Sequence, residues 1–173
     1  MSAKQGSSGN KIKSLCIYAL LCAVCMIIGY IESLFELSFI APGVKLGLAN
    51  AVSCVLIFTG DIKGAFYVNL SRILLSALLF GSPVSLVFAL SGGVVSLIVM
   101  AVLSRNKAFS VIGISIAGGA LHNTAQCIAG LFFVGKGVLY YLPVLLIAGA
   151  VSGGFIGFLS LLVLKRIKGE KNV

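Results

Sequence analysis

Six stretches of this chain are apolar enough, and nearly all long enough, to lie in a lipid bilayer, and that restricts the backbone to helices. A bilayer core holds no water, so every N–H and C=O must be satisfied inside the structure, as an α-helix does within its own segment. A crossing takes about 20 mostly apolar residues. By that measure the spans are Ser14–Ser33, Val44–Thr59, Gly64–Phe80, Pro83–Leu103, Ser110–Val134 and Val138–Leu164, the second being short. Breakers at Gly60-Asp61, Gly81-Ser82-Pro83, Ser104–Lys107 and Gly135–Gly137 separate them, and Leu34–Gly43 is the sizeable loop. The expectation is an all-α, polytopic membrane protein of six transmembrane helices. Residues 1–13 form a short, Ser/Gly-rich cytosolic tail, 14–165 the membrane domain and 166–173 a basic cytosolic tail.

Composition agrees. Of 173 residues 10% are charged, well below the roughly 25% of soluble domains. A net charge of +9 would suggest nucleic acid in a soluble chain, but here the basic residues flank the apolar runs, so no nucleic-acid partner is expected. Both termini inside the cell place Lys4, Lys11, Lys13, Lys63, Arg105, Lys107, Lys165, Arg166, Lys168 and Lys171 in the cytosol, leaving Lys45 and Lys136 outside. That asymmetry is the positive-inside pattern. The same orientation puts Leu34–Gly43 outside and Tyr30, Tyr140 and Tyr141 at the outer interface. A multi-pass protein of the cell membrane follows. The first apolar run is too long for a signal-peptide core and lacks a small-residue cleavage site.

Polar side chains inside these runs are costly in lipid and therefore face a bundle interior or a cavity. They are Asn50, Asn69, Arg72, His122, Asn123 and Gln126. Asn69 and Arg72 share a helix face, three residues apart; His122, Asn123 and Gln126 make a polar wall on the fifth span. Asn50, Arg72 and His122 fall near the middle of their spans, so they can meet at one depth. A guanidinium there needs an anion or several acceptors. Two readings stay open: a ligand site, with Lys45 at its mouth, and a set of interhelical bonds in which Arg72 pairs with Glu32 or with carbonyls.

Other features are weaker. Glu32 and Glu36, at the outer end of the first span, suit gate or interface positions better than acid–base chemistry. All five cysteines lie in apolar segments, and Cys22-x-x-Cys25 has no second pair or neighbouring histidine to complete a metal site. With four acidic residues and one histidine in the chain, no aspartate pair can hold magnesium and no usual zinc site can form. The stretch Gly130–Gly137 mimics the start of a P-loop, but lacks its closing Ser or Thr and follows a helix. No catalytic residue, metal or cofactor is expected, and ATP-driven work would need a partner. Gly149, Gly153 and Gly157 recur every four residues and predict close helix packing within the molecule; Ala19 and Ala23, similarly spaced, suggest docking of another membrane subunit. Ala89–Arg105 and Ala150–Arg166 share a pattern of Ala, Ser-Gly-Gly and a closing Arg, which fits either a parallel repeat or two Gly-rich spans with basic ends.

The run Pro42–Asn50, with Asn69–Arg72, Phe80-Gly81, Ser91-Gly92-Gly93 and Ala117–Gln126, resembles the small bacterial membrane family called Gx transporter, also labelled heptaprenyl diphosphate synthase component I. More distantly the chain is similar to the substrate-binding S components of energy-coupling factor transporters. That resemblance implies six helices, both termini inside, a ligand-capping outer loop, and an Ala-x-x-x-Ala pair, here Ala19 and Ala23, that contacts a coupling subunit. The function it implies is substrate capture energised by partner ATPases; the residues themselves add the expected site, Lys45, Asn50, Asn69, Arg72, His122, Asn123 and Gln126, in which Lys45 and Arg72 favour a small anionic or carbonyl-rich molecule, and no enzymatic activity is expected. Two alternatives are a nonenzymatic membrane component of flavin- or quinone-based extracellular electron transfer, and an accessory subunit of heptaprenyl diphosphate synthase.

Overall fold

A computed structural model describes residues 3–34, 47–106 and 108–169, without side-chain detail for 3–10, 33 and 34. The described residues form six α-helices and no strand: α1 (Ala3–Leu34), α2 (Asn50–Phe58), α3 (Ile62–Phe80), α4 (Pro83–Leu103), α5 (Val111–Val134) and α6 (Leu142–Lys168), with a 3₁₀ turn at Lys136–Tyr141. The boundaries have local causes. Asp61 caps α3 by accepting from the Gly64 N–H at 2.8 Å, and Ser82 and Ser85 cap α4 reciprocally, with Pro83 in its first turn. Ser110 accepts from the Gly113 N–H at 3.1 Å to start α5, and Gly135, at φ 80°, stops it.

Two expectations are corrected. Helix begins at Ala3, so residues 3–13 continue α1 instead of forming an irregular tail. Val44–Thr59 is not one continuous span: Gly47 takes φ 71°, and α2 starts only at Asn50 and runs nine residues. Nine residues rise about 14 Å, half of what a hydrocarbon core requires. Four helical stretches are long and apolar enough to cross a membrane: Lys11–Glu32, Ile62–Phe80, Pro83–Leu103 and Lys136–Lys168. At 24 residues, α5 has the length, about 36 Å, but His122, Asn123, Thr124 and Gln126 dilute its apolar character.

The helices pack in chain order, α1 on α3, α3 on α4, α4 on α5 and α5 on α6, while α2 fits between α3 and α6 and touches α4. Tyr30 packs on Phe80 with ring centroids 5.6 Å apart, and Phe88 on Phe133 at 5.7 Å. These pairs bring the ends of α1, α3 and α5 and the start of α4 to one end of the bundle. Lys63, Arg105 and Lys168 lie at the other, where the Lys168 ammonium donates to the Phe58 carbonyl at 2.6 Å and ties the ends of α2 and α6 together. Tyr18 joins α1 to the α2–α3 turn, its hydroxyl donating to Asp61 at 2.6 Å. Cys22, Cys25, Cys54 and Cys127 are buried and Cys16 is exposed, all as free thiols. Cys54 packs with Ile57, Leu97, Met100, Ile114 and Leu164 as an ordinary core residue.

The tightest contact is between α5 and α6. Gly119 and Gly149 face one another across it, and a Cβ on either would collide with the other's carbonyl oxygen. Gly153 lies against Ser115 and Ile116, and Gly157 against Ile112. The glycine series thus joins two helices of one molecule by backbone contact, the usual means where lipid offers no hydrophobic drive. A Cβ on Gly153 would sit 3.0 Å from the Ile116 Cα and collide with the Ser115 carbonyl oxygen, whereas one on Gly154 would meet only the Ile116 side chain at 3.6 Å. Gly153→Ala is therefore expected to destabilise the protein by about 1–3 kcal/mol, the usual cost of overpacking, and Gly154→Ala by less than about 0.5 kcal/mol. Unfolding in detergent micelles measures both; equal melting of the two variants would contradict this account of the α5–α6 contact.

Candidate functional site

Arg72 lies one helical turn beyond Asn69 on α3, a spacing that puts both side chains on one face. Its Nη2 donates to the Asn69 Oδ1 at 3.0 Å and to the Asn50 Oδ1, on the first residue of α2, at 3.2 Å. Asn69 is buried and spends its own Nδ2 on the Gly93 carbonyl of α4, at 3.2 Å. The amide is thereby locked with its oxygen toward the guanidinium. Among the described residues the guanidinium's hydrogen bonds thus go to two neutral amide oxygens.

Glu32, named with carbonyls as an alternative partner for Arg72, is engaged elsewhere. Glu32 accepts a hydrogen bond from the Gly47 backbone N–H and so fastens the end of α1 to the turn preceding α2. Gly47 is close to the same cluster, since a Cβ there would stand 3.2 Å from the Asn50 Nδ2. The Arg72 Nε is buried and has no hydrogen-bond partner among the described residues. A charged group at mid-helix costs about 2.5–3.5 kcal/mol on insertion scales, and a donor left unpaired adds to that.

From the opposite side, α5 brings His122 and Gln126 against α4 at Gly92. A Cβ on Gly92 would stand 2.7 Å from the His122 Nε2 and 2.9 Å from the Gln126 Cγ, so only glycine lets the imidazole approach that backbone. The other ring nitrogen, Nδ1, is buried and likewise has no hydrogen-bond partner among the described residues. Gly92 and Gly93 are adjacent, the first against His122 and the second against Asn69. The Ser91-Gly92-Gly93 step of α4 therefore separates the Arg72 cluster from the His122 cluster by little more than one backbone.

Asn123 departs from the expected wall. It is buried, and its Nδ2 donates to the Leu145 carbonyl at 2.8 Å, making it a tie between α5 and α6 beside Gly149. Lys45 and Glu36 lie outside the described residues. Ala19 and Ala23 are exposed on α1, along a groove of about 1250 Å³ between α1 and α3 that also includes Tyr18, Cys22, Asp61 and Tyr67. Sequence reasoning missed Gly92, whose signal was the Ser-Gly-Gly shared by the fourth and sixth spans, and the bond from Gly47 to Glu32, which no spacing announces.

Fold and polar centre together define a helical membrane protein with a cation and an imidazole among polar side chains at its centre. The family described as heptaprenyl diphosphate synthase component I matches residues 21–163, and the chain belongs to that family. No curated protein matches it, and no solved structure does.

Because His122 is the only histidine, its imidazole can be followed alone. Gly92→Ala is expected to push the ring away and shift its ¹⁵N resonances, with helix content unchanged, while Gly154→Ala leaves them in place. Identical imidazole spectra for wild type and Gly92→Ala would contradict the packing described.

Proposed function

We propose that this chain is a substrate-capture subunit for membrane transport, similar to the S components of energy-coupling factor transporters. It holds a small anionic or carbonyl-rich molecule against Arg72, Asn50 and His122. The observation that carries this reading is the Arg72 Nε: a buried donor on a permanently charged group, left unpaired by the described residues beside amides that already occupy its neighbour nitrogen. Such a guanidinium suits an acceptor-rich ligand. The His122 Nδ1 and the half-buried Gln126 offer further polar contacts across Gly92, and Lys45 and Asn69 complete the proposed set, Asn69 as the residue that orients Arg72.

In this reading both termini are cytosolic, in the cell membrane. Partner ATPases act through a coupling subunit docked on Ala19 and Ala23, which the open α1–α3 groove supports. A second reading rests on the family description, which names a component of a synthase: an accessory subunit that presents a diphosphate-bearing lipid to a separate catalytic chain.

Mass spectrometry of molecules retained by the purified protein tests the site. Wild type is expected to retain one anionic or carbonyl-rich compound, Arg72→Lys to hold it more weakly, and Arg72→Ala to lose about tenfold to a hundredfold in affinity, the range of a charge-assisted hydrogen bond. Undiminished retention by Arg72→Ala would remove the site from consideration. Should Arg72→Ala and Glu32→Gln both lower the melting temperature with ligand retention intact, the cluster is structural.

The partner separates the two readings. Ala19→Leu with Ala23→Leu is expected to abolish co-purification of a coupling subunit and its ATPases while the protein stays folded. Co-purification of a prenyl synthase subunit instead, unaffected by the double variant, favours the accessory role.

A further inference from the structure

A second groove, of about 450 Å³, lies between α3 and α4 at the end of the bundle opposite the Tyr30–Phe80 pair. Its composition is graded along its length. Lys63, in the first turn of α3, and Arg105, just past the end of α4, both line it at that end of the bundle. Behind them Phe66 and Tyr67 continue the Lys63 face of α3, three and four residues on. Ile98, Ala101 and Val102 continue the Arg105 face of α4 at helical spacing. Ala101 leaves the hollow and the buried Leu97 closes its floor. The walls are open: Phe66 is 43% exposed, Ile98 54% and Val102 58%.

Asp61, two residues before Lys63, is not among the residues that line this groove; it accepts from the Tyr18 hydroxyl and the Gly64 N–H and lines the α1–α3 groove, which Lys63 also borders. Two cations at the water-facing end of an apolar slot, in a helix pair flanked by lipid, match an amphiphile with an anionic head and a hydrocarbon tail. From Arg105 back to Ile98 the slot runs about 10 Å along the helix, the upper part of one acyl chain.

We propose that this groove holds one anionic phospholipid, its phosphate between Lys63 and Arg105 and one acyl chain along Phe66, Ile98, Ala101 and Val102. A basic pocket between membrane helices recognises such headgroups by charge, and the apolar walls exclude a free phosphate as the preferred occupant. The site is separate from the Arg72 cluster, and the proposal does not depend on the transport reading.

The test uses the full chain in detergent, loaded with phosphatidylglycerol or with phosphatidylcholine of the same acyl composition, and native mass spectrometry to count retained lipid. Wild type is expected to keep one phosphatidylglycerol in preference to phosphatidylcholine. Lys63→Gln with Arg105→Gln is expected to weaken it about thirtyfold, from the usual contribution of two surface cations. Lys11→Gln with Lys13→Gln, outside this groove, should leave retention unchanged. Val102→Trp fills the slot without altering charge and should also displace the lipid. Melting in neutral detergent checks that each variant is folded. Equal retention of the two lipids, or wild-type retention by the folded Lys63/Arg105 double variant, overturns the proposal. So does displacement of the phospholipid by inorganic phosphate, or by a polyprenyl diphosphate at equal or lower concentration.

Discussion

The desolvation of Arg72 governs the centre of this molecule. A guanidinium cannot shed its charge, so a bundle that contains one must supply oxygen atoms at fixed positions. Three helices contribute: α2 brings Asn50, α3 brings Asn69 and the arginine itself, and α4 brings the Gly93 carbonyl that orients the Asn69 amide. The glycines of α4 follow from the same demand. Gly93 lies against Ile73 and Asn69 on one side and Gly92 against His122 on the other, so a side chain at Gly92 would press the imidazole away, and one at Gly93 would meet Ile73 first and the Asn69 amide next.

Much of the helical plan was legible in the sequence, because the bilayer imposes a length and a polarity that residues report directly. The span Pro83–Leu103 was read to the residue, and α3 and α5 within two. What failed was the segment Val44–Thr59. Apolar content cannot distinguish a helix from a turn followed by a short helix; the decision lies in the left-handed conformation of Gly47 and in the bond it makes to Glu32, a contact between residues far apart in sequence. The amino-terminal residues failed for the opposite reason. Serine and glycine there suggested a tail outside the first helix, but a helix already nucleated by the apolar run extends back through them at little cost per residue.

The polar centre was legible only in part. Helical spacing put Asn69 beside Arg72, and shared depth was expected to bring Asn50, Arg72 and His122 together; Arg72 bonds to Asn50 and Asn69, while His122 stands on the other side of the Gly92-Gly93 step. Helical spacing to Gln126 grouped Asn123 with His122; successive residues on a helix point about 100° apart, and Asn123 bonds to a carbonyl of α6 while His122 lies against α4. The paired Ser-Gly-Gly steps proved informative in a way that their resemblance did not state, since Gly92 and Gly153, matched in register, both press against α5 from different neighbours.

That placement of α5 has a mechanical consequence. Along α6 it is joined backbone to backbone through Gly119, Gly149 and Gly153, and neither helix can slide without lifting over the other's carbonyl oxygens. The pair behaves as a keyed slab. On the far side α1 meets α3 along an open trough, held at one end by the Tyr18–Asp61 bond and at the other by ring contact between Tyr30 and Phe80. Close packing is therefore distributed unevenly across the bundle, with the imidazole on the half joined backbone to backbone and the guanidinium on the half with the open trough.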